Sequence, residues 1–218
     1  MTLARRLTSE AIGTALLLAT IIGSGIMAER LSGGNTGLAL LANAIATGAA
    51  LIALILTLGP ISGAHFNPCV SVAEAVNGRL SWTNAAAYSA VQIGAAIAGV
   101  MAAHLMFEEP LFSLSGHARS GPAQMWSEFV ATFGLLAVIL GCARHREAMV
   151  PFAVGGYITA AYWFTASTSF ANPAVTIARS LSDTFAGIQP ADVPGFILAE
   201  VVGAAAAIYL MHWMLSDK

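Results

Sequence analysis

Charge is what this chain has least of: nine lysines and arginines and eleven aspartates and glutamates make up 9% of its 218 residues, against 57% hydrophobic ones. A water-facing surface carries about 25–35% charged side chains. With a mean hydropathy of +0.76, this chain cannot supply one, which excludes a soluble monomer and makes it an integral membrane protein. The basic residues are scattered and the net charge is −2, so no patch exists for nucleic acid. Cysteine is also scarce. Cys69 and Cys142 both fall in or beside apolar stretches, too few for a disulfide framework or a thiolate metal site. The five histidines, His65, His104, His117, His145 and His212, are spread over different segments. No nucleophile–base pair or metal cluster is visible, so the expectations are no enzyme and no metal.

What is present is apolar sequence of membrane-spanning length. A span needs roughly 20 residues, and six stretches qualify, near 10–28, 38–58, 83–106, 126–142, 149–166 and 194–215. Three fall in each half, about 1–107 and 123–218, joined by a loop at about 108–122 that carries Glu108, Glu109, Pro110, Gly121 and Pro122. Arg5, Arg6, Arg79, Arg144, Arg146 and Lys218 gather on one side of this arrangement, against Arg30, Arg119 and Arg179 on the other. The positive-inside rule then places both termini in the cytoplasm. An odd number of spans per half also inserts the second half upside down, giving an inverted repeat within a single channel domain, 1–218.

The repeat is legible in residues. Asn67-Pro68-Cys69 and Asn172-Pro173-Ala174 stand 105 positions apart, and Val70-Ser71-Val72-Ala73 matches Val175-Thr176-Ile177-Ala178 without a gap. Glu10-x-x-x-Thr14 recurs as Glu128-x-x-x-Thr132 at the head of each half. Each triplet precedes an apolar stretch, 68–77 and 173–181, too short to cross a bilayer. Proline is favoured at a first helical position, so each becomes a half-helix. Inverted symmetry points the two N-termini at each other near the midplane, where their dipoles sum to a positive potential and irregular backbone survives only by lining a cavity. The Asn67 and Asn172 amides then face a passing neutral molecule.

These triplets, the segment Ser62 to Ser71, the paired Glu-x-x-x-Thr motifs and Gln92 resemble the aquaporin and aquaglyceroporin (major intrinsic protein) family over nearly the whole length. The resemblance implies an all-α membrane protein of six transmembrane helices plus two half-helices, assembled as a homotetramer with one pore per chain and no cofactor. It also implies that Glu10 and Glu128 are structural acids accepting hydrogen bonds from the half-helix loops. Glu200 aligns with Gln92 across the repeat, and its role stays open.

Two departures from the family bear on what passes. Cys69 replaces the alanine of the first triplet, read either as packing of a small hydrophobe or as a mercury-sensitive pore residue. Val175 stands where the family has a selectivity-filter arginine, and the family's spacing assigns Thr47, Ala160 and Ser169 to the other filter positions. Four small side chains predict a wide filter, resembling bacterial aquaglyceroporins associated with arsenic resistance, which pass arsenite as neutral arsenic trihydroxide. Arg179, one turn beyond Val175, is a candidate to replace the missing cation at the pore mouth, or else a cation at a helix C-terminus. His65 is a second pore-mouth candidate, on the cytoplasmic side.

The leading expectation is therefore a passive channel for water, glycerol-like polyols and arsenite in the inner (plasma) membrane of a bacterium, with the lipid bilayer around it and no nucleic-acid partner. A proton-coupled secondary transporter using the intramembrane glutamates is the alternative.

Overall fold

The computed structural model describes residues 1–216, and all of its regular structure is helical. Eight α-helices follow in chain order: α1 (Leu3–Leu31), α2 (Thr36–Ser62), α3 (Pro68–Val76), α4 (Trp82–Phe107), α5 (Pro122–His145), α6 (Val150–Phe164), α7 (Pro173–Arg179) and α8 (Val193–Leu215). Their starts are set locally. Thr2, Asn35 and Ser81 cap α1, α2 and α4 by accepting the N–H of Arg5, Leu38 and Asn84, which satisfies donors that a helix start leaves orphaned. α2 stops at Gly63, whose φ of 94° a side chain would resist.

Five helices, α1, α2, α4, α5 and α8, are long and apolar enough to cross a membrane. The remaining expected span is shorter than the sequence suggested: α6 has 15 residues, about 22 Å against a hydrocarbon core of about 30 Å. A 3₁₀ turn at Glu147–Met149 precedes it. It ends at Thr165, where the chain turns extended to feed the second half-helix.

Contacts between helices map onto themselves when the halves are exchanged. α1 packs on α2 and α4 as α5 packs on α6 and α8, while α3 touches α4 and α8 as α7 touches α8 and α4. Across the halves α2 meets α6 closely: a Cβ on Gly48 would collide with Thr159, and one on Gly155 with Ile52 and the Gly48 carbonyl. Small residues of this kind let membrane helices approach where lipid offers no hydrophobic drive. Gly156 faces open space and takes no part. The outer flanks carry Leu16, Ile45, Leu56, Phe152, Leu198 and Val202 exposed, as a surface bathed in hydrocarbon requires.

Arg79 and Arg144 line a common cavity at one end of the bundle, and Arg119 and Arg179 line another. Lys218 lies outside the described residues.

Candidate functional site

The two half-helices meet N-terminus to N-terminus. Asn67 Oδ1 accepts the N–H of Cys69 at 2.9 Å, and Asn172 Oδ1 accepts that of Ala174 at 3.0 Å, each capping its own helix. The amide groups reach across: Asn67 Nδ2 donates to the Ala171 carbonyl at 2.7 Å, and Asn172 Nδ2 to the Phe66 carbonyl at 2.8 Å. An amide nitrogen has two hydrogens, so one on each asparagine is left for a molecule in the lane that both residues line.

The loops leading into the half-helices are held in conformations that L-residues resist. Ala64 and Phe66 have φ near 50°, as do Ser169 and Ala171, their counterparts 105 positions on. Such backbone persists only where its surroundings over-determine it. Buried carboxylates supply that restraint. Glu10 accepts the N–H groups of His65 (3.0 Å) and Phe66 (2.8 Å), the Ser62 hydroxyl (2.6 Å) and the Gln92 amide (2.8 Å). Glu128 accepts from Phe170 (2.9 Å) and Ala171 (2.7 Å). Glu200 completes the second set, accepting the Asn172 N–H at 3.1 Å and the Thr176 hydroxyl at 2.6 Å. Gln92 correspondingly donates to Ser71 Oγ at 3.1 Å, so the open role of Glu200 resolves into the partner of the second half-helix.

Beside the asparagines runs a cavity of about 90 Å³, several times the space one water requires. Its lining is mostly apolar, Leu17, Ile21, Leu51 and Val154 included, and also carries His65, Asn67, Asn172, Thr47, Ser169 and Arg179. No carboxylate lines it among the described residues. His65 holds Ser71 Oγ at 3.1 Å through Nδ1 and so lies along the lane, bound locally.

Toward the end that carries Arg119, Thr47, Ser169 and Val175 all line this cavity. Ala160 does not: it is exposed on the outer face of α6. The inward face of that helix is Val150, Val154, Ile158 and Tyr162, at four-residue intervals, and a residue two positions off such a stripe points roughly 200° away. Tyr162 takes the place expected of Ala160, its hydroxyl 3.2 Å from Thr47 Oγ1. The cluster therefore is not uniformly small.

Arg179 is only 1% exposed. It lines both the lane and an outer vestibule of about 420 Å³, and so stands at the throat between them. Its guanidinium carbon lies 3.4 Å from the centre of the Phe170 ring, its Nε donates to the Ala186 carbonyl, and Nη1 has no hydrogen-bond partner. A cation merely decorating a helix C-terminus would sit in solvent. Arg119, from the loop between α4 and α5, reaches the same ring at 5.0 Å and donates to the carbonyls of Gly187 (2.8 Å) and Ser167 (3.0 Å). Burial lowers the Arg119 pKa from its ordinary value, opposed by Glu128 and Tyr162, but a guanidinium stays charged at neutral pH. Sequence reasoning missed Tyr162 and gave Arg119 no role. α6 is apolar on every face, with Phe152 and Trp163 exposed as Ile158 and Tyr162 are buried, so nothing in its periodicity marked Tyr162, and nothing local marks Arg119.

Cys69 lines a different cavity, between α3 and α8, and not the lane. The placement fits the packing reading of this cysteine.

The family profile described as Major intrinsic protein matches residues 1–169. The chain is 58% identical over 214 residues to the aquaglyceroporin AqpS of Rhizobium meliloti (strain 1021), covering 98% of this chain and 91% of that one. It is 37% identical over 175 residues to the aquaporin NIP1-4 of Oryza sativa subsp. japonica, covering 76% and 62%. Among solved structures, that of the aquaglyceroporin from Plasmodium falciparum superposes with a TM-score of 0.75 over 96% of this chain and 95% of that one, at 20% identity, which speaks to the fold.

Proposed function

The chain belongs to the major intrinsic protein family, and on that premise we propose that it is a passive channel for small uncharged solutes whose selectivity is set by Thr47, Tyr162, Ser169 and Val175 together with Arg179. The observation that carries this reading is a lane lined by both asparagine amides, free of carboxylates among the described residues, and ending at a buried arginine. A proton-coupled transporter needs an acid that meets its substrate. Glu10 and Glu128 instead spend both oxygens on loop backbone and on Ser62 and Gln92, and Glu200 holds Asn172 and Thr176 through Oε1, its unpartnered Oε2 lying off the lane lining.

Solute class follows from the chemistry at the throat. Ser169 Oγ is buried without a partner, the Thr47 and Tyr162 hydroxyls can each turn toward the lane, and Arg179 offers a donor. A neutral triol such as glycerol, or arsenic trihydroxide, brings matching donors and acceptors. Val175 leaves one side of the throat open, while Arg179, one turn further out, supplies the positive charge that repels hydronium and other cations. Tyr162 narrows the opposite side, so the filter is more selective than four small residues would make it. Assembly as a homotetramer in a bacterial plasma membrane, with both termini in the cytoplasm, fits the exposed apolar flanks and the basic residues at one end.

Val175→Arg tests the assignment. An added guanidinium would crowd Ser169 and face Arg179, so glycerol and arsenite flux into proteoliposomes is expected to fall at least about tenfold, an added barrier of about 1.4 kcal/mol. Unchanged flux of both solutes would place the narrow point elsewhere.

A further inference from the structure

Two cavities outside the lane share one lining residue. A groove of about 500 Å³ runs between α3 and α8, walled by apolar side chains including Val72, Val201, Ala205 and Ile208, with Cys69 at its floor. A second cavity of about 410 Å³, at the basic end of the bundle, carries Arg79 and Arg144. His212 lines both.

We propose that these two neighbouring cavities together bind one anionic phospholipid, an acyl chain lying in the α3–α8 groove and the phosphate held by Arg79 and Arg144. The groove opens sideways, since Val72, Val201 and Tyr209 beside it are exposed, and the medium at that depth is hydrocarbon. Its length fits one leaflet: Val201 to His212 rises about 16 Å along α8, close to half of a core about 30 Å thick. It is hollow because α3 is only a half-helix and because Ala204 and Ala205 present small side chains. At the polar end, Glu74 grips Arg79 at 2.6 and 2.5 Å. That fork uses two of the five guanidinium donors and orients the rest. Arginine pairs and basic pockets on the cytoplasmic side are the usual recognition of lipid phosphate. An acyl chain seated here would touch Pro68, Cys69 and Pro173, the first turns of both half-helices. None of this depends on which solute passes.

The test uses the intact protein in non-ionic detergent, titrated with phosphatidylglycerol or phosphatidylcholine of identical acyl chains, with bound lipid counted by native mass spectrometry. Phosphatidylglycerol is expected to bind at least fivefold more tightly, and each of Arg79→Gln and Arg144→Gln to cost about fivefold of that preference. Ala205→Phe, which fills the groove, is expected to weaken both lipids while leaving glycerol flux intact. Equal binding of the two lipids by the native protein would overturn the proposal, as would full binding by the Ala205→Phe variant. So would a groove that takes up lipid only after the oligomer is dissociated, which would mean that a second copy of this chain covers it. If an arginine variant misfolds, the native lipid ratio and Ala205→Phe decide.

Discussion

Arg179→Leu is expected to raise proton leak through the channel about 30-fold and to speed glycerol as well. The Arg179 side chain lines both vestibule and lane, so leucine removes both bulk and charge. A unit charge passing about 8 Å away under an effective dielectric of about 20 meets about 2 kcal/mol, which converts to a factor of about 30 in rate. Arg119 remains 5.0 Å from the same Phe170 ring and the half-helix dipoles are untouched, so the barrier falls without vanishing. Arg179→Lys keeps the charge and is expected to keep the leak low. The measurement is the decay of an imposed pH gradient in proteoliposomes, followed with an internal dye. A leak unchanged in the leucine variant would move the cation barrier to Arg119 or to the dipoles.

The second large effect is on stability. Glu10→Leu removes at one stroke the acceptor for the N–H groups of His65 and Phe66, the Ser62 hydroxyl and the Gln92 amide. A buried donor left unsatisfied costs about 1–3 kcal/mol. Water can rescue the groups that face the lane, so a total of about 3–5 kcal/mol is expected. For a chain of this size that lowers Tm by about 10 °C or more, read as loss of the monodisperse peak on heating in detergent. Because Phe66, with φ 49°, depends on this acceptor to stay left-handed, Asn67 should lose its position and flux should fall together with stability. Glu10→Gln keeps one acceptor oxygen and is expected to lose roughly half as much. A Glu10→Leu variant as stable as the native protein would show that the loop is held by packing alone.

How much of this was legible in the sequence differs from residue to residue. The half-helices announced themselves, because Asn followed by Pro encodes a cap and a first turn locally and the motif occurs twice. The acids Glu10 and Glu128 could be paired by motif, although their hydrogen-bond partners, about 55 and 42 positions away, could not be read from spacing. Ala160 failed for a definite reason. Counting back from Asn172 crosses the junction where α6 ends and extended chain begins, and a two-residue change there swaps the inward face for the outward one. α6 is apolar all round, with Phe152 and Trp163 exposed as Ile158 and Tyr162 are buried, so periodicity could not correct the count. Arg119 lay beyond reach as well. Its place is fixed by the Asp192 carboxylate, which accepts its backbone N–H at 2.7 Å, and by carbonyls of loops nearly 50 and 70 residues downstream.

The most direct measurement is the initial rate of glycerol entry into proteoliposomes across a wide range of gradients, with and without an imposed pH difference. A passive lane predicts a rate that rises in proportion to the gradient and ignores the pH difference. A rate that saturates and grows with an inward proton gradient would contradict it and make one of the buried glutamates a coupling site.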